Sequence, residues 1–216
     1  MSTRNTIITG TSLIILATLA GVLLWNRLPD SMASHWGIND QVNDTTGKIW
    51  GVFLMPIVNT SMFLLFLAIP SIDPLRENIA KFRETFNTFI VLIIVFMVYI
   101  YGLTLAWNLG YTGFRMSISV IPAMGLLFIF IGFLIEKSKR NFFIGIRTPW
   151  TLSSDAVWDE THRIGGQLFK LSGALALIGV FFPAYAFWFL FLPLIGSSLF
   201  TVAYSYILFQ REAKTG

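Results

Sequence analysis

The chain has 216 residues, of which 55% are hydrophobic and only 12% are charged, and its mean hydropathy is +0.71. This composition lies outside the range of soluble domains and is typical of a membrane protein. The chain contains no cysteine, which excludes disulfides, thiol catalysis and Cys-based zinc sites. Its net charge of +4 does not indicate direct nucleic-acid binding, because basic residues that flank membrane spans account for the excess.

Six apolar segments are long enough to cross a bilayer, which requires roughly 20 residues of helix. They are residues 7–25, 50–70, 87–107, 116–135, 166–184 and 185–209. The sequence therefore predicts an all-α, polytopic membrane helix bundle of six transmembrane helices. We divide it into residues 1–110, with the first three spans and a loop at 26–49, and residues 111–216, with the last three spans and a polar segment at 141–166.

The distribution of basic residues predicts the orientation, since Lys and Arg near span ends are retained in the cytoplasm. With the N-terminus inside, only Arg27, Lys48 and Arg115 of the 15 Lys and Arg residues lie outside. We therefore expect both termini and residues 141–166 in the cytoplasm, and loop 26–49 outside the cell membrane.

The spans themselves carry little chemistry. Their central portions contain no Asp, Glu, Lys, Arg or His, whereas pumps and proton-coupled transporters usually place ionisable groups at membrane depth. The Ser, Thr, Asn and Tyr residues that they do contain are typical of helix–helix hydrogen bonding. Function is therefore expected at the two membrane faces.

The outer loop is a candidate contact surface for an external ligand. Its net charge is −1, because Arg27 and Lys48 oppose the carboxylates of Asp30, Asp40 and Asp44. It thus offers a weakly acidic, aromatic surface to a cationic or amphipathic peptide. A hydrogen-bonded cap is favoured over a metal site at His35 with Asp40 or Asp44, because no spacing matches a dedicated ligand set. The candidate contact residues are Pro29, His35, Trp36, Asp40, Asp44 and Lys48.

The segment 141–166 gathers much of the chain's scarce charge. Alternation over residues 142–147 predicts an extended arm, and Pro149 keeps Thr148 extended. A helix is predicted to start around Ser153, with Asp155 in its first turn. Arg147 is expected to pair with Asp155 or Asp159 and to fix the arm to this helix.

Asp159 and His162 stand at i,i+3, close enough for the carboxylate to orient the imidazole. No nucleophile with motif-level support accompanies them, and two ligands do not make a metal site. A structural clamp or docking surface is therefore favoured over catalysis or metal binding, and no catalytic residue, metal or cofactor is predicted. The predicted docking or coupling residues are Asn141, Gly145, Arg147, Thr148, Pro149, Trp150, Trp158, Asp159, His162 and Arg163.

Nine of these residues, all except Asp159, resemble in order and spacing the signature of the SdpI family of bacterial membrane proteins. The outer segment, with Leu28-Pro29-Asp30, His35-Trp36, Lys48 and Pro56, resembles a domain of unknown function often found ahead of that signature. The founding member of the family is an immunity protein that protects bacilli from a secreted toxin peptide. It also sequesters its cognate repressor at the membrane.

The resemblance implies a non-enzymatic immunity protein of a bacterial cell membrane. Its implied partners are membrane lipid, a membrane-active peptide toxin and a cytoplasmic ArsR-like repressor. In this interpretation the outer loop and spans contact the toxin. Residues 141–166 transmit the state of the protein to the cytoplasm or dock the cytoplasmic regulator. Two alternatives stay open: a small exporter or channel, and a membrane-embedded enzyme that uses Asp159 and His162.

Overall fold

The computed structural model describes residues 1–215 and consists mainly of helices. Its elements are α1 (Thr3–Leu23), β1 (Ser31–Trp36), β2 (Val42–Gly47), α2 (Lys48–Ile72), α3 (Arg76–Ala80), α4 (Arg83–Asn108), α5 (Met116–Lys137), α6 (Pro149–Ser153), α7 (Asp155–Gly179) and α8 (Ala186–Thr215). A short 3-10 turn, Trp25–Arg27, joins α1 to β1.

The predicted fold class, an all-α membrane bundle, is confirmed. Within residues 1–215, helices α1, α2, α4, α5 and α8 are long and apolar enough to cross a membrane. The fifth predicted span, residues 166–184, falls in α7, which is not among these five. This helix starts at Asp155, well before the apolar run, and ends at Gly179. Its 25 residues reach about 38 Å, but six transmembrane helices remain a prediction.

The helices run alternately up and down, so their connections gather at two ends. We call the end that carries Met1 and the last turn of α8 the inner end, and the opposite one the outer end. The Met1 amino group donates to the Glu84 carbonyl at the start of α4, and Ser154 donates to Glu212 near the end of α8. The β1–β2 hairpin lies at the outer end.

Two groups of helices form the bundle. Helices α1, α2 and α4 enclose a core that includes Phe63, Phe86 and Ile90. Helix α7 packs against α5 and α8, where Ile121, Ala176, Ala186 and Leu190 form a second core. The division into residues 1–110 and 111–216 parallels these groups and remains a prediction.

Close contact between α5 and α7 depends on small residues. A Cβ added at Gly125 would lie 2.8 Å from the Gly173 carbonyl oxygen, and one at Gly166 would lie 2.6 Å from the Gly132 carbonyl oxygen. Lipid supplies no hydrophobic drive for helix association, so close backbone packing of this kind stabilises a membrane bundle. Lys170 of α7 and Glu136 of α5 add an ion pair at 2.6 Å near the inner end.

Candidate functional sites at the two ends of the bundle

Residues 141–166 lie at the inner end, and we call them the inner segment. The side chain of Asn141 organises its start. It is fully buried, its Oδ1 accepts from the backbone N–H groups of Phe143 and Ile144, and its Nδ2 donates to the carbonyls of Lys139 and Ile144. These bonds to nearby backbone fold residues 139–144 into a compact turn. The predicted extended arm at 142–147 is therefore wrong, because the Asn141 side chain competes with extended pairing.

His162 and Trp158 form the centre of the inner segment. Both are buried, and their rings stack with centroids 3.9 Å apart. The Nδ1 of His162 lies 2.7 Å from the Trp158 carbonyl oxygen, and its Nε2 accepts from the Ile146 N–H at 2.9 Å. The ring is thus neutral, with its proton on Nδ1. Burial lowers the pKa of His162 from 6.5 to about 4.

Gly145 is required at its position for two reasons. Its φ of +116° lies in the region that L side chains rarely adopt, and an added Cβ would lie 2.5 Å from His162 Nε2. The Trp158 indole donates to the Ser138 carbonyl on the other side of the turn. Gly145, Trp158 and His162 therefore form one packed cluster, which we call the inner clamp.

Thr148, Pro149 and Trp150 connect the inner segment to α8. Thr148 is extended, as predicted, and caps the short helix α6 reciprocally with Thr151, while Pro149 occupies the first helical position. Thr148 Oγ1 also lies 3.0 Å from the Ser205 hydroxyl of α8, and the Trp150 ring lies 5.0 Å from that of Tyr206. Ser154, rather than Ser153, caps α7.

The predicted pairing of Arg147 is wrong. Its guanidinium donates to the Phe142 carbonyl, while Asp155 pairs with Arg140 at 2.7 Å and Asp159 pairs with Lys139 at 3.0 Å.

Arg163 pairs with Glu160 one helical turn away. Charged residues of the segment 141–166 thus lie on its exposed rim, and the backbone-bonded aromatic and polar residues form its interior.

This geometry does not assemble the catalytic pair considered from the sequence. Both ring nitrogens of His162 are held by backbone groups, and the Asp159 carboxylate is held by Lys139. Among residues 1–215, no three His, Asp or Glu side chains cluster closely enough to hold a metal ion. The inner clamp can therefore fix the shape of this end of the molecule, and the charged residues of the segment 141–166 surround it on the exposed surface.

Sequence reasoning missed the residue that connects the inner segment to the first group of helices. Asp73, at the end of α2, is buried, and its carboxylate accepts from the backbone N–H groups of Leu75 and Phe142. Asn78 donates to the Arg140 carbonyl beside it. Phe142 lies 69 positions from Asp73, and Arg140 lies 62 positions from Asn78, so no local pattern marks these two long-range contacts.

At the outer end, the segment predicted as a cap is a β-hairpin. Strands β1 and β2 pair antiparallel, with Met32 opposite Thr46. The side-chain amide of Asn108, at the end of α4, accepts from the Ala33 N–H and donates to the Ala33 carbonyl. Both backbone groups of Ala33 on the free edge of β1 are therefore bonded. The Thr45 N–H of β2 donates to Asp44. The Asn108 amide thus occupies the edge of β1 at Ala33, and Asp44 satisfies one N–H on the edge of β2.

Asp40 attaches the tip of the hairpin to α5. Its φ is +62°, and its carboxylate accepts from the Ser117 N–H at 2.7 Å, the Ser117 hydroxyl at 2.7 Å and Arg115 Nε at 2.9 Å. It therefore caps the start of α5 from a distant part of the chain. Burial raises the pKa of Asp40, but the bonds from Ser117 and Arg115 outweigh this effect and lower it.

The structure brings together three of the six predicted outer contact residues. His35, Trp36 and Asp40 line a groove of about 930 Å³ between the hairpin, α5 and α8. Lys48 does not line the groove; it pairs with Asp30 at 2.8 Å and lies over the Trp25 ring. Pro29 and Asp44 do not line the groove.

The fold and these two ends define a multi-pass α-helical membrane protein with an outer groove and a packed inner clamp. Residues 137–205 match the SdpI/YfhL protein family, and residues 12–60 match a domain of unknown function, DUF1648. The chain is 26% identical over 172 residues to the immunity protein SdpI of Bacillus subtilis (strain 168), which covers 79% of each chain. No solved structure matches it. The resemblance to the SdpI family, with the associated domain ahead of it, is confirmed.

Proposed function

We propose that this chain is an immunity protein of the bacterial cell membrane, which protects its host from a secreted, membrane-active peptide toxin. The observation that carries the proposal is the similarity to an immunity protein over 79% of both chains. The two family matches cover the outer hairpin and the inner clamp, so both candidate sites lie inside the similar regions. The six outer residues predicted from sequence remain proposed toxin contacts.

Two alternatives are less well supported. An exporter or channel is expected to place ionisable groups at membrane depth, but the central portions of the predicted spans contain none. An enzyme that uses Asp159 and His162 would need at least one of these groups free to exchange a proton with a substrate. Both are engaged within the inner segment.

Survival of a toxin-sensitive bacterium tests the proposal. The strain would express the chain, with its level in the membrane measured by immunoblot, and would be challenged with the toxin peptide that the Bacillus subtilis relative counters. We expect survival to rise, with the toxin still bound to the cells. No gain in survival at verified expression contradicts immunity to this toxin. Protection accompanied by a fall in cell-bound toxin, and reversed by a protonophore, would support an exporter.

We further propose that residues 141–166 dock a cytoplasmic ArsR-like repressor. The exposed rim supports this proposal, because Arg163, Asp159 and Lys139 each expose about half of their side chains. Charge reversal at the rim, as in Arg163→Glu, is expected to abolish recruitment of a fluorescent repressor to the membrane while toxin survival persists. Recruitment that is unchanged in this variant would contradict the docking role.

A further inference from the structure

The outer groove has two chemically different zones. Its mouth is formed by the polar hairpin tip, where His35 Nδ1 lies 2.6 Å from the Asn43 amide oxygen. Its depth is formed by apolar side chains of α5 and α8, among them Ile121, Phe187 and Phe191. The α5 wall extends from Met116 to Met124, about 12 Å along the helix axis. The groove therefore extends from the outer end into the apolar part of the bundle.

The groove presents almost no net charge to a ligand. Among its lining residues, all of which fall within residues 1–215, Asp40 is the one carboxylate, and there is no Lys or Arg. The Asp40 side chain is only 10% exposed and is already bonded to Ser117 and Arg115. A lipid phosphate is bound most strongly by Lys or Arg, which this lining lacks, so charge complementarity favours an uncharged segment.

One residue of the groove wall carries a buried donor that lacks an acceptor. Trp36 lines the groove, and its indole Nε1–H has no hydrogen-bond partner among residues 1–215. A buried indole N–H usually has a partner, and a missing one costs about 1–3 kcal/mol. The Trp36 ring is held edge-on against Trp107, with centroids 5.6 Å apart. The nitrogen itself exposes less than 1 Å², so it is a polar atom buried beside the groove and is not open to a ligand.

We propose that this groove binds an uncharged, apolar segment of the toxin peptide at the outer membrane boundary. The inference rests on the proposed immunity function and names the part of the molecule that carries it. Apolar side chains of the segment pack between α5 and α8, beneath the polar hairpin tip. The volume of about 930 Å³ is at the upper end of the range for ligand pockets, which suits several residues of a peptide.

Filling the groove tests the inference. Val120 lines the groove on α5, whereas Leu126 on the same helix lies outside it and is 60% exposed. Val120→Trp is expected to weaken binding of the labelled toxin peptide at least about tenfold, and Leu126→Trp is expected to leave it unchanged. Binding would be measured on the full chain in phospholipid nanodiscs, with thermal unfolding as the check that each variant is folded.

Survival assays separate failure of the groove from failure of the function. If the unsubstituted chain protects and Val120→Trp, folded and expressed equally, protects as well, the groove inference is wrong and the immunity function stands. If the unsubstituted chain neither binds the peptide nor protects, both are wrong.

Photo-crosslinking identifies the occupant independently. A benzoylphenylalanine at position 187, which lines the groove, is expected to capture the toxin peptide, and one at position 192, which is outside the lining, is not. Capture at position 187 of phospholipid that the toxin does not displace would overturn the inference. So would capture of a second copy of the chain.

Discussion

At the residue scale, the two histidines of the chain have different environments. His35 lies exposed at the mouth of the groove, while His162 is buried in the inner clamp. Each ring nitrogen of His162 is bonded to backbone in a way that requires the neutral ring. Protonation would place a second N–H against the Ile146 N–H and a charge in an apolar surrounding. The inner clamp is therefore expected to lose stability as the pH falls.

The pKa of His162 falls from 6.5 to about 4 on folding. Between pH 4 and pH 6.5, His162 is therefore protonated in the unfolded chain and neutral in the folded chain. The full contribution of the neutral ring is present above pH 6.5 and is lost as the pH falls toward 4. The loss is on the order of 3 kcal/mol. Thermal unfolding in detergent would show this drop. His162→Gln is expected to reduce this fall in stability, and His35→Gln is expected to leave it unchanged. Equal dependence of the unfolding temperature on pH in all three chains would contradict the role of His162.

Asp40 is the second residue whose substitution has a clear expected effect. Asp40→Ala removes the acceptor for both Ser117 donors and places alanine at a φ of +62°, which together cost about 2 kcal/mol in the free energy of unfolding. Asp40→Asn keeps one acceptor and should lose less. Asp44→Ala is the matched control, because among residues 1–215 Asp44 accepts only from its neighbour Thr45 in the exposed strand. This variant should stay within about 0.5 kcal/mol of the unsubstituted chain. Equal melting temperatures for Asp40→Ala and Asp44→Ala would contradict the capping role.

At the scale of the elements, α5 and α7 form the closest helix pair of the bundle. Gly125 and Gly173 face each other across it, as do Gly132 and Gly166. Each pair is seven residues from the next, so the glycines follow one face of each helix. This spacing lets the two backbones approach and brings Lys170 to Glu136.

Gly173→Ala tests this packing. Its Cβ would overlap the Gly125 carbonyl oxygen and lie 2.8 Å from Ile129 Cγ1, so the helices must separate, at a cost of about 1–3 kcal/mol. Gly196→Ala in α8 is the control, because an added Cβ there meets no atom within 4 Å. It should be neutral or, through helix propensity, slightly stabilising. Unfolding temperatures of the full chain in detergent measure both, and a neutral Gly173→Ala would contradict the close approach.

The elements that the sequence predicted best are those whose signal is local. Five apolar runs coincide with helices, because a run of about 20 apolar residues has few alternatives in a membrane protein. The hairpin was missed because its strands are fixed by partners far away, such as Asn108 at Ala33, 75 positions along the chain. The sequence predicted a helix start around Ser153 and a separate apolar span from residue 166, and the structure joins the two in the single helix α7, Asp155–Gly179.

The candidate sites show the same limit. Spacing in the segment 141–166 marked the residues of the inner clamp, but it assigned Arg147 the wrong partners, since Arg140 and Lys139 occupy Asp155 and Asp159. The outer groove could not be predicted, because it needs α5 and α8 to lie beside the hairpin. Helix α7 packs against both α5 and α8 and so holds these two helices near each other.

At the scale of the whole molecule, the two ends must face different compartments if the proposed function is correct. The groove must face a secreted toxin, and the rim of the inner segment must face a cytoplasmic regulator. The structure places Asn39, in the hairpin turn, and Ser153, at the end of α6, at opposite ends of the bundle. The bias of Lys and Arg predicts that the end with Ser153 is cytoplasmic.

Cysteine labelling tests this orientation cleanly, because the chain contains no cysteine of its own. In intact cells, a membrane-impermeant maleimide is expected to label Asn39→Cys, while Ser153→Cys reacts only after the membrane is permeabilised. Both side chains are exposed enough for reagent to reach them, as labelling in detergent would verify. The reverse pattern would place the groove in the cytoplasm, out of reach of a secreted peptide. Labelling of both positions in intact cells would mean that the chain does not take a single orientation.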